Sequence, residues 1–267
     1  MKRAAPVLTG LLVVALLALF AWYNSPEVRQ SRELQPSKLA GGNERDNRVI
    51  GELDLEKLYP GVVLRRGKKP AKLVCLTFDD GPDKVYTPAI LDILKAKGVK
   101  ATFFVIGKRV EENPELAKRI AAEGHLIGNH TYSHPQLDKV GSAVEQELSK
   151  TESALKKIGL CGNGLFRPAY GAANPSLVVQ VSSLGYKVAM WSVDSLDWRG
   201  LSASEVRRNV ENYVAPGSVV LLHCAAGPGE DLSGSVSALP AVIDSLKAAG
   251  YTFVTMSEMF DLGKPDQ

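Results

Sequence analysis

Residues 72–106 read KLVCLTFDDGPDKVYTPAILDILKAKGVKATFFVI. The stretch opens on an apolar, β-rich run, Leu73–Phe78, and breaks at Asp79-Asp80-Gly81-Pro82. It continues as a helix-like segment over Thr87–Lys97, stops at Gly98, and returns to an apolar run at Ala101–Ile106. Two short strands joined through a helix form a parallel unit, because parallel strands need a long crossover whereas antiparallel ones close through tight turns. Gly98 fits the position after a helix, where the chain turns left-handed.

The pattern repeats outward. Further β-rich runs lie at His125–Gly128, Leu165–Arg167, Tyr186–Val193, Ser218–His223 and Tyr251–Thr255, and helix-like segments at Pro114–Glu123, Ser142–Ile158, Ser204–Tyr213 and Ser237–Ala249. Gly124, Gly159 and Gly250 follow helical runs, and Pro114 stands where a first helical turn accepts proline. About seven such units predict an α/β fold closing into an irregular (β/α) barrel, whose chemistry would sit at the C-terminal ends of its strands.

The chain has 267 residues, 45% of them hydrophobic and 23% charged, enough for one sizeable core. A net charge of +3 is too small to argue for nucleic acid, and no protein partner is evident. Lys2 and Arg3 precede an uncharged run from Ala4 to Ser25, with Trp22 and Tyr23 placed as interfacial aromatics. The run is long enough to span a bilayer. It also has the shape of a signal peptide, but the small-residue cleavage pattern is poor, since Leu16 and Leu19 stand two residues before Ala18 and Ala21. The expectation is a transmembrane signal-anchor over 1–23, the rest of the chain lying outside the cell membrane; a cleaved signal and a secreted protein is the alternative. Residues 24–70 read as a stem or linker, 71–262 as the main domain and 263–267 as a tail. The basic cluster Arg65, Arg66, Lys68, Lys69 and Lys72 is either a solvated linker or a contact for an anionic polymer or membrane surface. Cys75, Cys161 and Cys224 form no CxxC pair, and Cys75 reads as a small core residue.

Five stretches carry candidate chemistry, all at or near strand ends. At Thr77–Pro82 a strand runs into two carboxylates, of which one could bind a metal and the other act as a base, unless they merely cap a loop. His130 and His134 are spaced i, i+4, as if on one face of a helical turn, which suits two imidazoles on one cation such as Zn, Co, Ni or Fe; Asp80 is the natural third ligand. His125 reads as structural. Arg167 could hold an ionised carboxylate or be a surface residue in a turn. Trp191–Trp198 brings two acids and two indoles to a strand end, as an apolar wall or sugar platform, or as ordinary core and loop. Val219–His223 ends a strand on a histidine able to protonate a leaving amine; Leu221 shares its face and Cys224 points away.

On these five stretches, in this order, the chain resembles the polysaccharide deacetylase family, the carbohydrate esterases with a NodB-type domain, over roughly Leu73 to Met259. Thr77–Pro82 matches the first family motif in full and His130–His134 the second. The resemblance implies a distorted (β/α) barrel and N-deacetylation of N-acetylated amino sugars in a cell-wall or chitin-like polysaccharide; the anchored form with a short stem looks like bacterial cell-wall and sporulation deacetylases. It implies a divalent metal, commonly zinc and sometimes cobalt or manganese, on Asp80, His130 and His134. It further implies Asp79 as base, Arg167 holding Asp79, Tyr170 giving a backbone N–H to the oxyanion, Asp197 pairing with His223 as acid, and Trp198 and Leu221 lining the acetyl pocket. Two departures stand out: Ala169 where the third motif has proline, and Cys224 where relatives carry a polar residue. The alternatives are a deacylase of a small amide or ester and a non-catalytic wall-binding barrel. The full set Asp79, Asp80, His130, His134 and His223 speaks against the latter.

Overall fold

The computed structural model describes residues 54–69, 71–138 and 143–263. The expected anchor at 1–23 lies outside the described residues. Among those described, no helix is long and apolar enough to cross a membrane.

The chain enters through α1 (Leu55–Leu58) and β1 (Val63–Leu64) and then alternates: β2 (Leu73–Asp79), α2 (Tyr86–Lys97), β3 (Thr102–Val105), α3 (Gly107–Glu112), α4 (Pro114–Ala122), β4 (Leu126–Asn129), α5 (Val144–Lys157), β5 (Leu165–Phe166), α6 (Pro175–Ser183), β6 (Lys187–Ala189), β7 (Val193–Asp194), α7 (Ala203–Glu211), β8 (Ser218–His223), α8 (Ser233–Ala248), β9 (Thr252–Phe253) and α9 (Met256–Met259). The strands form a single 9-stranded sheet in the order β1-β6-β5-β4-β3-β2-β8-β7, with β9 also on β2. Every ladder in it is parallel. Curled on itself, the sheet is a half-barrel with helices outside, consistent with the expected (β/α) barrel.

Among the described residues nine strands replace the expected seven, for two reasons. β1 comes from the stretch read as stem. The run Tyr186–Val193, expected as one strand, divides because it changes partner midway: Val188 and Met190 donate to Val62 and Leu64, whereas Ser192 donates to Val219 of β8. The segment thus crosses the gap between the two edges of the sheet. Helices α1, α3, α6 and α9 fall outside the expected helical segments. For α6 the signal was present, since Asn174 caps it through a bond from Leu177 N–H and Pro175 opens it.

Period-two alternation along β2 sorts the core. Val74, Leu76 and Phe78 face the outer helices and pack with Ile90, Leu91 and Leu94 of α2. Cys75 joins the inner cluster with Phe104, Phe166, Val188 and Leu221. Each fully buried large apolar side chain stabilises the fold by about 1.5–3 kcal/mol. The same alternation turns Thr77 and Asp79 into the barrel.

Candidate metal centre and active site

Asp79, the last residue of β2, is 3% exposed. Facing it is Arg167, directly after β5 and wholly buried. A buried guanidinium needs every donor matched. Nη1 donates to Asp79 Oδ1 and to Thr77 Oγ1, both at 2.7 Å. Nε and Nη2 donate to the carbonyls of Ala189 (3.1 Å) and Met190 (3.3 Å). The plane stacks 4.1 Å from the Phe104 ring centre and 5.6 Å from that of Trp191. Arg167 is therefore no surface residue: it clamps one oxygen of Asp79 and leaves Oδ2 on the side of His130, 3.8 Å from its Nε2.

Next to it, Asp80 turns left-handed (φ 73°) and brings its carboxylate to the two histidines. Asp80 Oδ1 lies 3.3 Å from Nε2 of both His130 and His134. That oxygen is buried and, among the described residues, has no hydrogen-bond partner. Donors bound at about 2.0–2.1 Å in a tetrahedron stand about 3.3 Å apart, so the three atoms fit one cation of zinc's size. The ligand-competent atoms of Asp80, His130 and His134 form the one such group among the described residues. His130 Nδ1 meets the Arg167 carbonyl at 2.7 Å, which fixes the ring and leaves Nε2 available to a cation. Burial works against charge on His130, but Asp79 and Asp80 outweigh it and its pKa is raised. The His134 pKa is lowered, by burial first and then by His130. Burial also opposes charge on Asp80, yet His130, with His223 and His134, holds its carboxyl well below the usual range.

The expected helical turn for His130–His134 is corrected by the structure. Thr131 (φ 69°) and His134 (φ 61°) are both left-handed, and no right-handed turn contains such residues. The chain leaves β4 and reverses at once. Asn129 Oδ1 accepts from Thr131 N–H and Thr131 Oγ1 from His134 N–H, each at 2.9 Å. The i, i+4 spacing brings the rings within 4.9 Å by this irregular route.

On the other side of β2, His223 ends β8 in register with Asp79. Its Nδ1 lies 2.8 Å from Asp197 Oδ1, and its backbone N–H donates to Asp197 Oδ2 at 2.9 Å. Ser235 Oγ donates to the same Oδ2 at 2.8 Å. Burial alone would discharge the ring, but Asp197 overcomes it and raises the His223 pKa to about 10. Burial likewise opposes charge on Asp197, and His223 outweighs it, so the Asp197 pKa is lowered. The carboxylate thus favours the protonated ring and occupies Nδ1, which leaves Nε2 for the cleft. Asp194, in the same cleft, has its pKa raised chiefly by burial, with Asp197 and Asp79 adding to it. Cys224 points away from the cleft, as alternation requires. It is buried, and its thiol donates to the Asp79 carbonyl at 3.4 Å. A side chain at Gly81 would collide with that sulfur, so glycine is needed there.

Asp79, Asp80, His130, His134 and His223 line one cleft of about 740 Å³, together with Tyr170, Trp191, Trp198 and Leu221, while Arg167 and Asp197 are buried behind them. Tyr170 (71% exposed, φ 60°) packs 4.6 Å from the His134 ring; Trp198 is 46% exposed and Leu221 only 4%. Ala169 is buried between Arg167, which stays buried behind the cleft, and Tyr170, which lines its mouth. All the expected site residues thus converge. A second cavity, about 810 Å³ beside Arg66, Lys187 and Phe260, contains none of them. His125 stays apart as a core residue, Nδ1 accepting from Ala101 N–H at 3.2 Å. The sequence reading missed Ser235 and the role of Thr77. Ser235 carries no local signal; Thr77 could have been found by its inward alternation with Asp79.

A family model described as polysaccharide deacetylase matches residues 66–189. The chain is 45% identical over 192 residues to a peptidoglycan-N-acetylglucosamine deacetylase of Bacillus cereus, covering 72% of this chain and 69% of that protein. It is similar to a crystal structure of a peptidoglycan N-acetylglucosamine deacetylase, with a TM-score of 0.76 and 40% identity over 80% of this chain and 100% of the other. It is also similar to a CE4 family pseudoenzyme from Bacillus anthracis, with a TM-score of 0.68 and 31% identity over 75% of this chain and 69% of the other. Likeness of fold therefore does not decide activity by itself; the groups in the mouth carry that weight.

Proposed function

The chain belongs to the polysaccharide deacetylase family, and from that premise we propose that it hydrolyses the acetamide of N-acetylglucosamine units in peptidoglycan, using a divalent cation, zinc by preference, and releasing acetate. The observation that carries the reading is the cluster of Asp80, His130 and His134, able to hold a cation, in one cleft with a clamped carboxylate, Asp79, and a histidine, His223, bonded to the Asp197 carboxylate.

A cation on those three residues supplies Lewis-acid polarisation of the acetamide carbonyl and a more acidic water. Asp79 Oδ2 takes the proton of the attacking water, while Arg167 keeps Oδ1 fixed and the carboxylate aimed. The Tyr170 backbone N–H donates to the oxyanion that develops as the carbonyl is attacked, a contribution of about 3–4 kcal/mol for a donor of this kind. Leu221 and Trp198 enclose the acetyl methyl and exclude water from it. When the C–N bond breaks, His223 gives its Nε2 proton to the departing nitrogen, and Asp197 stabilises the imidazolium beforehand. Acetate and a free amino sugar remain. The apolar run behind Lys2 and Arg3 supports a place at the cell membrane with the mouth facing the wall.

The test is acetate release by zinc-loaded protein from purified peptidoglycan and from chitooligosaccharides in parallel. We expect release from peptidoglycan, with glucosamine rather than muramic acid as the new amino sugar. No release from either by folded, metal-loaded protein would contradict the reading.

A further inference from the structure

The turn that carries His130 and His134 is held from two sides. Its carbonyls at Thr131 and Tyr132 accept from the backbone N–H of Gly107 and Lys108, at the start of α3, both at 3.0 Å. Its amides are taken by a single side chain from α5. Glu147 Oε2 accepts from the backbone N–H of Tyr132 and of Ser133, each at 2.8 Å, and Oε1 accepts from the Ser133 hydroxyl at 2.9 Å. Glu147 is 9% exposed, and among the described residues its partners are these donors rather than a cation. Thr131 and His134, on either side of the two amides, are both left-handed, so the turn does not favour this shape by itself. The rest of α5 grips the root of the turn: Asn129 Nδ2 donates to the Leu148 carbonyl at 3.0 Å and to Glu152 Oε1 at 3.1 Å.

We propose that Glu147 is a positioning residue of the metal centre: by fixing the Tyr132–Ser133 backbone it sets the separation at which His130 and His134 present Nε2 to the cation held with Asp80. The inference rests on the metal reading given above. A buried carboxylate with no cation beside it is a costly residue to keep for packing alone, and its three bonds all fall between the two histidine ligands. A ligand pair held 3.3 Å from the third donor on both sides tolerates little drift.

The experiment measures Zn²⁺ affinity of the full chain by competition with a chromophoric chelator, for wild type, E147A, E147Q and E147D, at a temperature where circular dichroism shows each to be folded. Glutamine retains the oxygen that accepts both amides, and its NH₂ donates to the Ser133 oxygen. Aspartate retains the charge but withdraws the acceptor by one methylene. We expect E147A and E147D to bind Zn²⁺ about 10–100-fold more weakly than wild type and E147Q to stay within about threefold. Should E147A not fold, E147D carries the test. Wild-type affinity in folded E147A or E147D would overturn the role of Glu147, as would an equal loss in E147Q. A wild-type chain that binds no Zn²⁺ would instead overturn the metal reading, before Glu147 is altered.

Discussion

The two ends of the barrel turn the chain through the same left-handed backbone region with different residues. Where helices run back into strands, glycine does it: Gly98 caps α2 at φ 60° ahead of β3, and Gly185 stands at φ 85° ahead of β6. Where strands run out into the mouth, glycines such as Gly171 (φ 65°) take part, but Asp80, Thr131, His134, Tyr170 and Leu196 do it with side chains attached. Each such residue gives up about 1–2 kcal/mol that glycine would not. Four of these side chains have work at the site: Asp80 and His134 lie in the ligand cluster, Thr131 accepts from His134 N–H, and Tyr170 packs on the His134 ring. Leu196 turns the chain directly into Asp197. The sixth residue of this kind among the described residues, Asp261, lies elsewhere and pairs with Lys69 at 2.6 Å. Strain is thus concentrated where side chains must be presented, and the apolar layers behind the mouth offset it.

If that division holds, changes at the mouth alter chemistry while changes at the base alter stability. The largest effect is expected from Asp79→Asn. The amide oxygen still accepts from Arg167, so the chain should fold and bind metal, but it no longer takes a proton. Turnover, followed as acetate release, should fall about 10²–10⁴-fold. Unchanged turnover would remove Asp79 from the reaction and break the comparison at its strongest point.

Asp197→Asn sharpens it. With Asp197 in place the His223 pKa is raised from 6.5 to about 10, so the pair contributes stability that is complete below about 6.5 and is lost as pH rises through about 10. In the proposed mechanism the protonated ring is also the form that serves the leaving amine. In the variant the ring gives up its proton at lower pH, so the alkaline limb of kcat/KM should move to lower pH, and the stability gap to wild type should narrow as pH rises. A profile of kcat/KM against pH checks this, and an alkaline limb that does not move would count against His223 as the acid.

The smallest effect belongs to the base. A Cβ on Gly98 would meet nothing within 4 Å, so Gly98→Ala reports backbone conformation alone. We expect a loss of about 1 kcal/mol, seen as a fall in Tm of about 2–4 °C, with kcat/KM unchanged. A change in kcat/KM would show that the two ends are not separable.

How much of this was legible in the sequence follows from how local each feature is. β2 and β8 announce themselves because their apolar runs are buried on both faces. Asp79, Asp80, Arg167 and His223 could be placed because each sits at or directly after the end of such a run. Gly98 marked a helix end for the same local reason. What escaped depends on distant partners. The run Tyr186–Val193 changes partner because Leu64 and Val219 accept from Met190 and Ser192. The His130–His134 turn is irregular because Glu147 and the start of α3 hold it, and i, i+4 spacing alone does not distinguish that from a helix. Ser235 became visible only once the start of α8 was seen against Asp197.

The central claim is that hydrolysis depends on one cation held by Asp80, His130 and His134. The most direct measurement is acetate release from peptidoglycan by metal-free protein titrated with Zn²⁺. We expect no release at the start, a rise in proportion to added zinc, and a plateau at one equivalent per chain. Full release from rigorously metal-free protein would contradict the claim.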